Sequence, residues 1–192
     1  MSDNTENQSF LIGYLFAFGA TAIWSGNFII ARGLHESIPP VSLAFYRWLV
    51  AVIVFSPFAI KHLTGEWKTI KKHPAYFSIT ALLGITTFNT LIYIAGHTTT
   101  AMNLSLIAIT FPVFIILLSR ILYKELITIQ KGFGIAIVLI GVITLITKAN
   151  FSNILNISFN IGDVWMLMAS IIFSVYSIFL KNKPEGISVI AL

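Results

Sequence analysis

The sequence predicts an all-α, polytopic membrane protein with six transmembrane helices and the start of a seventh. Of its 192 residues, 57% are hydrophobic and only 10% are charged, whereas soluble domains are about one quarter charged. A soluble globule of this length exposes too much surface for so apolar a composition. The composition therefore excludes an ordinary soluble enzyme, a disordered chain and a DNA-binding domain.

Apolar runs near the bilayer-crossing length of about 20 residues define the spans. A polar tail is expected at residues 1–9. The six predicted spans cover residues 10–31, 41–60, 75–96, 101–119, 132–147 and 161–180. The predicted connections are a turn at 32–40, a basic loop at 61–74, a link at 97–100, a basic connector at 120–131 and an outer loop at 148–160. A further apolar run begins at residue 187, which gives the start of a seventh span.

Basic residues set the expected orientation. Nine of the 12 Lys and Arg residues lie in residues 61–74, in residues 120–131 or directly after residue 180. Alternating spans place these three segments on one side, and the positive-inside rule assigns that side to the cytoplasm. We therefore expect an integral protein of the bacterial inner (plasma) membrane with a cytoplasmic N-terminus.

A shift of 149 residues aligns span 6 with span 1. An Ile-Gly pair opens both spans, Trp24 aligns with Phe173, and Asn27 aligns with Tyr176. A five-span repeat unit must insert its second copy upside down, because five is odd. Inverted repeats are typical of secondary transporters. On this reading, residues 10–147 are the first unit and residues 161–192 begin the second.

Five motifs follow one another in a characteristic order. They are Trp-Ser-Gly-Asn in span 1, Phe-Tyr-Arg in span 2, Pro112 in span 4, Lys124-Glu125 after it, and Gly-Asp at the start of span 6. In this order the chain resembles the EamA-type domain of the drug/metabolite transporter superfamily. The resemblance implies ten-span carriers of small solutes, built from two inverted five-span units. Against that pattern the chain is apparently truncated, so a missing second half or a second copy is expected to complete it.

Arg47 is the only charged residue between positions 41 and 60. A basic side chain near the bilayer centre costs about 2.5–3.5 kcal/mol on insertion scales, so it should face protein or water. Its guanidinium could bind a carboxylate or phosphate group of a solute. Alternatively, it could bond to neighbouring helices or reach the outer surface in a structural role.

Other polar or aromatic side chains interrupt the spans at helical spacing. They predict the lining of a solute pathway, although hydrogen bonds that only join helices would produce the same pattern. Pro112 is expected to kink span 4, and Asp163 is expected to cap span 6. The pathway candidates are Trp24, Asn27, Arg47, Asn89, Tyr93, Asn103, Thr110, Pro112 and Tyr176.

These features predict a secondary carrier of small metabolites or drugs that works by alternating access. Its expected partners are a small-molecule substrate and the lipid bilayer. The alternatives are a truncated, non-transporting membrane protein or an assembly subunit. A carrier of phosphorylated or nucleotide-linked solutes is less favoured, because it should need several basic residues deep in the spans. No enzyme activity, metal, cofactor or nucleic-acid partner is expected, because the sequence shows no motif for any of them.

Overall fold

The computed structural model describes residues 2–147 and 160–188. The regular elements in these ranges are helices, and one of them is a π-helix. They are α1 (Ser2–Gly33), α2 (Pro40–Lys72), α3 (Pro74–Ala81), π1 (Leu82–Thr87), α4 (Phe88–Gly96), α5 (Ala101–Ala108), α6 (Phe111–Tyr123), α7 (Ile129–Ile146) and α8 (Ile161–Lys181). We call the continuous run of α3, π1 and α4 span 3, and we call α5 with α6 span 4.

The prediction of a polytopic helical membrane protein is confirmed. Five helical stretches are long and apolar enough to cross a bilayer, and a shorter apolar helix covers Ile129–Leu145. The five are Phe10–Gly33, Pro40–Lys72, Pro74–Gly96, Ala101–Tyr123 and Ile161–Lys181. Residues 148–159 of the predicted outer loop, and residues 189–192 of the apolar run that begins at residue 187, lie outside the described residues.

Two polar segments that were expected outside the helices are helical. The prediction of a basic loop at residues 61–74 is wrong, because α2 continues to Lys72. Its 33 residues extend over about 50 Å. Hydropathy marks the end of the apolar run, whereas lysine is a good helix former and lets the helix continue. Pro74 follows and ends it, since a residue before proline disfavours the helical region. The predicted tail is likewise part of α1, which begins at Ser2.

Helix α8 lies at the centre of the packing. It contacts span 3 along its length and both helices of span 4. Met166 and Ala169 of α8 are fully buried, together with Ile92 of α4 and Leu104 of α5. Helix α1 packs on α4 and α5, and α2 packs on α3 and α4. Helices α1 and α2 therefore lie on the outside of a block formed by span 3, span 4 and α8.

The packed helices have two ends, which we name the Asp163 end and the Lys181 end. At the Asp163 end, Arg32 Nη1 donates to the carbonyls of Gly96 (3.0 Å) and His97 (3.1 Å). At the Lys181 end, Lys181 Nζ contacts Ser119 Oγ at 3.1 Å and Glu125 Oε1 at 3.2 Å. Helix α1 ends where α8 begins, so these two helices run antiparallel.

Span 4 is interrupted at residues 109–110, between α5 and α6. Pro112 lies in the first turn of α6, where its missing N–H removes no bond that the helix needs. The Thr110 side chain donates to the Ile107 carbonyl at 2.6 Å. The kink that we expected from Pro112 corresponds to a break of the helix directly before the proline.

Glycines allow the closest approaches between helices. A Cβ atom on Gly162 would lie 2.5 Å from the Ala95 carbonyl oxygen, and one on Gly96 would lie 2.6 Å from the Ala31 carbonyl oxygen. Both neighbours are backbone atoms, so a side chain could be accommodated only by moving a helix. These contacts set the distances of α8 and α1 from α4.

We predict that Gly162→Ala lowers the stability of the chain by about 1–3 kcal/mol, the usual range for overpacking. Gly141→Ala in α7 is the control, because its Cβ would meet nothing within 4 Å. Thermal unfolding of the purified variants in detergent micelles measures the difference. Equal melting temperatures for the two variants would contradict the packing described above.

Candidate functional site

Three polar side chains from three spans meet on one side of the block, and we call them the polar triad. They are Asn27 of α1, Arg47 of α2 and Tyr93 of α4. Arg47 Nη1 donates to both Asn27 Oδ1 and the Tyr93 hydroxyl oxygen. The Tyr93 hydroxyl donates in turn to Asn27 Oδ1 at 3.0 Å. The guanidinium carbon also lies 5.7 Å from the centre of the Tyr93 ring.

The antiparallel course of α1 and α2 brings Asn27 and Arg47 to the same level. Asn27 lies six residues before the end of α1, and Arg47 lies seven residues after the start of α2. Both positions are therefore about 10 Å from the Asp163 end, at 1.5 Å per residue. Tyr93 is buried, with 1% of its surface exposed, and it forms the floor between the two helices.

Arg47 has no carboxylate partner in the described part of the chain. The two ion pairs found there join His35 to Glu36 and Lys181 to Glu125. Only Nη1 of the guanidinium makes hydrogen bonds with described residues, and the Arg47 side chain is exposed. Neutral oxygens therefore orient the guanidinium, and its other two nitrogens make no hydrogen bond with described residues.

Five aromatic rings form a second cluster, which we call the aromatic cluster. Phe173 of α8 is its centre. The Phe173 ring lies 4.7 Å from Phe88, 4.9 Å from Phe111, 5.8 Å from Tyr176 and 6.1 Å from Trp24. Trp24 precedes Asn27 by three residues on α1, so the cluster lies next to the triad on the side of the Lys181 end. It joins α1, span 3, span 4 and α8.

Tyr176 packs against π1 and does not contribute to the polar triad. A Cβ atom on Gly84 would lie 2.5 Å from a carbon of the Tyr176 ring, so the ring occupies the space that glycine leaves. π-helical turns inside α-helices are often found at functional sites. Tyr176 is five residues from the C-terminal end of α8, whereas Asn27 is near the Asp163 end. The two aligned positions thus lie in opposite halves of the protein.

The remaining predicted residues take other roles. Asn89 is buried and donates to the Ile85 carbonyl of its own helix at 2.9 Å. Thr110, in the break of span 4, donates to the Ile107 carbonyl of α5. Asn103 donates to Asp163 Oδ1 at 3.2 Å and so belongs to a different cluster. Of the nine predicted pathway residues, the structure brings only Asn27, Arg47 and Tyr93 together as a polar group, with Trp24 adjacent.

Asp163 organises the start of α8. Its Oδ2 accepts from the Asn160 backbone N–H at 2.9 Å, and its Oδ1 accepts from Thr99 and from Asn103. Asn160 is the N-cap and Asp163 the third helical residue of a capping box. The expected capping role is therefore present, one turn from the cap position itself. Sequence reasoning missed Thr99, because no spacing signal joins two positions 64 residues apart.

An apolar groove of about 430 Å³ runs between α2 and span 3. Thr86 and Thr90 of span 3 line it on one side, and Ala44, Trp48 and other apolar residues of α2 line it on the other. Asn89 and Tyr93 are not among the residues that line this groove. Within the described ranges, no group of three His, Asp or Glu residues could hold a metal ion.

We predict that Asp163→Asn lowers stability by about 1–3 kcal/mol, because the new amide cannot accept from all three donors that surround the carboxylate. Glu185→Gln makes the same chemical change at an exposed acid after α8 and should have little effect. Thermal unfolding in detergent compares the two. A loss of the same size in both variants would show that the Asp163 contacts do not stabilise α8.

Comparison with known proteins adds family relationships. The model of the EamA-like transporter family matches residues 11–147. An uncharacterized transporter of Methanothermobacter thermautotrophicus is 26% identical over 190 residues, which cover 91% of this chain and 55% of that protein. The uncharacterized transporter YyaM of Bacillus subtilis is 24% identical over 165 residues, covering 86% and 54%.

An uncharacterized transporter of Archaeoglobus fulgidus is 30% identical over 162 residues, covering 81% of this chain and 53% of its own length. The chain thus spans about half the length of the curated relatives that it matches. No solved structure matches it.

Proposed function

The chain belongs to the EamA-like transporter family, and we propose that it acts as a secondary carrier of a small organic metabolite or drug. The carrier works by alternating access and carries out no catalytic reaction. The observation that supports this proposal is the polar triad, in which three spans direct one amide, one hydroxyl and one guanidinium to a common point.

The exposed cation is the first argument for a solute site. A guanidinium that faces lipid is unfavourable, by about 2.5–3.5 kcal/mol at the bilayer centre. Asn27 and Tyr93 satisfy one of its nitrogens, and the side chain remains exposed. A water-filled pathway next to the triad removes this cost, and a solute that enters the pathway can take the open hydrogen bonds.

The aromatic cluster is the second argument. Its rings lie directly beside the triad and contact one another across four parts of the fold. Apolar constrictions block water and polar solutes in membrane pathways. We propose that the cluster closes the path from the triad to the Lys181 end while the triad is open to the Asp163 end. Alternating access then requires the rings around Phe173 to separate.

We place the protein in the plasma membrane of a prokaryotic cell with the Lys181 end and the N-terminus in the cytoplasm. The basic segments in α2, between α6 and α7, and after α8 support this orientation. The chain has no cysteine, so a single introduced thiol reports its own location without interference.

We predict that Ser37→Cys, in the exposed turn before α2, reacts with a membrane-impermeant maleimide on intact cells. Lys68→Cys, exposed near the other end of α2, should react only after the membrane is permeabilised. Labelling followed by gel electrophoresis gives the result for each variant. The reverse pattern would place the Lys181 end outside and overturn the proposed orientation.

Transport itself is tested with the chain reconstituted in lipid vesicles. We predict measurable uptake or efflux of at least one compound from a panel of carboxylic acids, amino acids, drugs and nucleobases. Tyr93→Phe should then reduce the rate about 10-fold, because one hydrogen bond to a charged group contributes about 1.5–3 kcal/mol and 1.4 kcal/mol equals a factor of ten.

Tyr14→Phe is the matched control, since Tyr14 lies on α1 with 73% of its surface exposed and should transport like the unmodified chain. If no compound of the panel is taken up or released, the proposal of a carrier is wrong. An equal effect of both tyrosine substitutions would show that transport does not depend on the Tyr93 hydroxyl.

A further inference from the structure

We propose that the solute is an organic monoanion, whose single carboxylate binds the Arg47 guanidinium and whose apolar body lies against Trp24. This inference rests on the proposed function, because it names the substrate class of the same site. Two features support it: the charge balance of the triad and the geometry of the open guanidinium nitrogens.

The charge balance favours an anion. In the described part of the chain, the partners of Arg47 are an amide oxygen and a hydroxyl oxygen, both neutral. The nearby Asp163 end does hold a buried carboxylate, but that group already accepts from Thr99, Asn103 and Asn160. No described carboxylate therefore balances the guanidinium at the triad, and a bound monoanion would make the site neutral.

The geometry of the guanidinium favours a carboxylate. Asn27 and Tyr93 both contact Nη1, and this double contact fixes the plane of the group. Nε and Nη2 are left without partners among the described residues. These two nitrogens form the parallel pair that binds the two oxygens of a carboxylate.

The surroundings of the triad disfavour other charge classes. A phosphate dianion would need a second cation, and among the described residues no basic side chain other than Arg47 makes a hydrogen bond at the triad. A zwitterion would need an acidic side chain for its ammonium group, and no described carboxylate forms an ion pair at the triad. A free amine would be repelled by the guanidinium.

Trp24 indicates where the rest of the solute lies. It is three residues from Asn27 and therefore on the same face of α1, and 56% of its surface is exposed. Its ring contacts Phe173 edge to face at 6.1 Å. A carboxylate held by Arg47 thus has an apolar, aromatic surface one helical turn away, which suits an aromatic or branched apolar body.

The test uses the full chain in nanodiscs and radiolabelled phenylacetate as the probe. Competing compounds share its size and differ in charge: phenylacetamide, phenethylamine, phenylphosphonate and phenylalanine. We expect saturable phenylacetate binding at mildly alkaline pH, where phenylphosphonate is a dianion and phenylalanine is still a zwitterion, and at least 10-fold weaker competition by each of the others. This comparison needs no mutation, so it does not depend on whether a variant folds.

Variants then assign the preference to a residue. Arg47→Gln should reduce phenylacetate binding at least 10-fold and abolish the difference between phenylacetate and phenylacetamide. Arg47→Lys should keep part of both, and Lys68→Gln, which removes an exposed lysine far from the triad, should change neither. Melting temperatures check that each variant is folded.

Each other result overturns the inference. Absence of saturable phenylacetate binding, or equal competition by phenylacetamide, would show that the site does not select an anion. Stronger competition by phenylphosphonate or phenylalanine would show that it selects a dianion or a zwitterion. If the vesicle experiment finds transport of some compound in these cases, the carrier remains and only the substrate class falls.

Discussion

Polar groups inside a bilayer must find partners within the protein, and α8 supplies or receives several of these contacts. Asp163 ties its first turn to Thr99 and Asn103, and Lys181 ties its last turn to Ser119 and Glu125. Between them, the Ser174 hydroxyl donates to the Ser170 carbonyl of its own helix at 2.7 Å, and its oxygen lies 3.3 Å from the Phe111 carbonyl oxygen of α6. Gly162 lets the start of α8 touch the backbone of α4. Span 3, span 4 and α8 consequently form one block that is joined at three levels.

Helices α1 and α2 depend on this block but are attached to it less extensively. Arg32 anchors the end of α1 to the carbonyls at the end of α4, and the polar triad joins both helices to Tyr93. The triad is therefore both a structural contact and the place where the outer helices meet the block. A solute carboxylate on the two open nitrogens of Arg47 would bind at the same side chain that joins α1 and α2 to the block. In the proposed carrier, solute binding would therefore act directly on the positions of α1 and α2.

Hydropathy and charge were enough to predict the helical membrane fold, because the apolar runs match the bilayer thickness. They failed at α2, where helix formation continues beyond the apolar run. The triad could be predicted only as separate candidates. Asn27, Arg47 and Tyr93 are 20 and 46 residues apart in sequence, and their meeting depends on how each helix is rotated about its axis. Helical spacing made Asn89 as good a candidate as Tyr93, yet Asn89 bonds within its own span.

The residue pairs that the 149-residue shift aligns lie at positions that a two-fold axis between α1 and α8 would relate. Trp24 and Phe173 contact each other, while Asn27 and Tyr176 lie near opposite ends of two antiparallel helices. A two-fold axis in the membrane plane has this property, because equivalent residues touch on the axis and separate on either side of it. If the inverted repeat that we predict is correct, the axis passes through the aromatic cluster. The triad and the Tyr176–Gly84 contact would then lie on opposite sides of one barrier, and opening that barrier would exchange the accessible side.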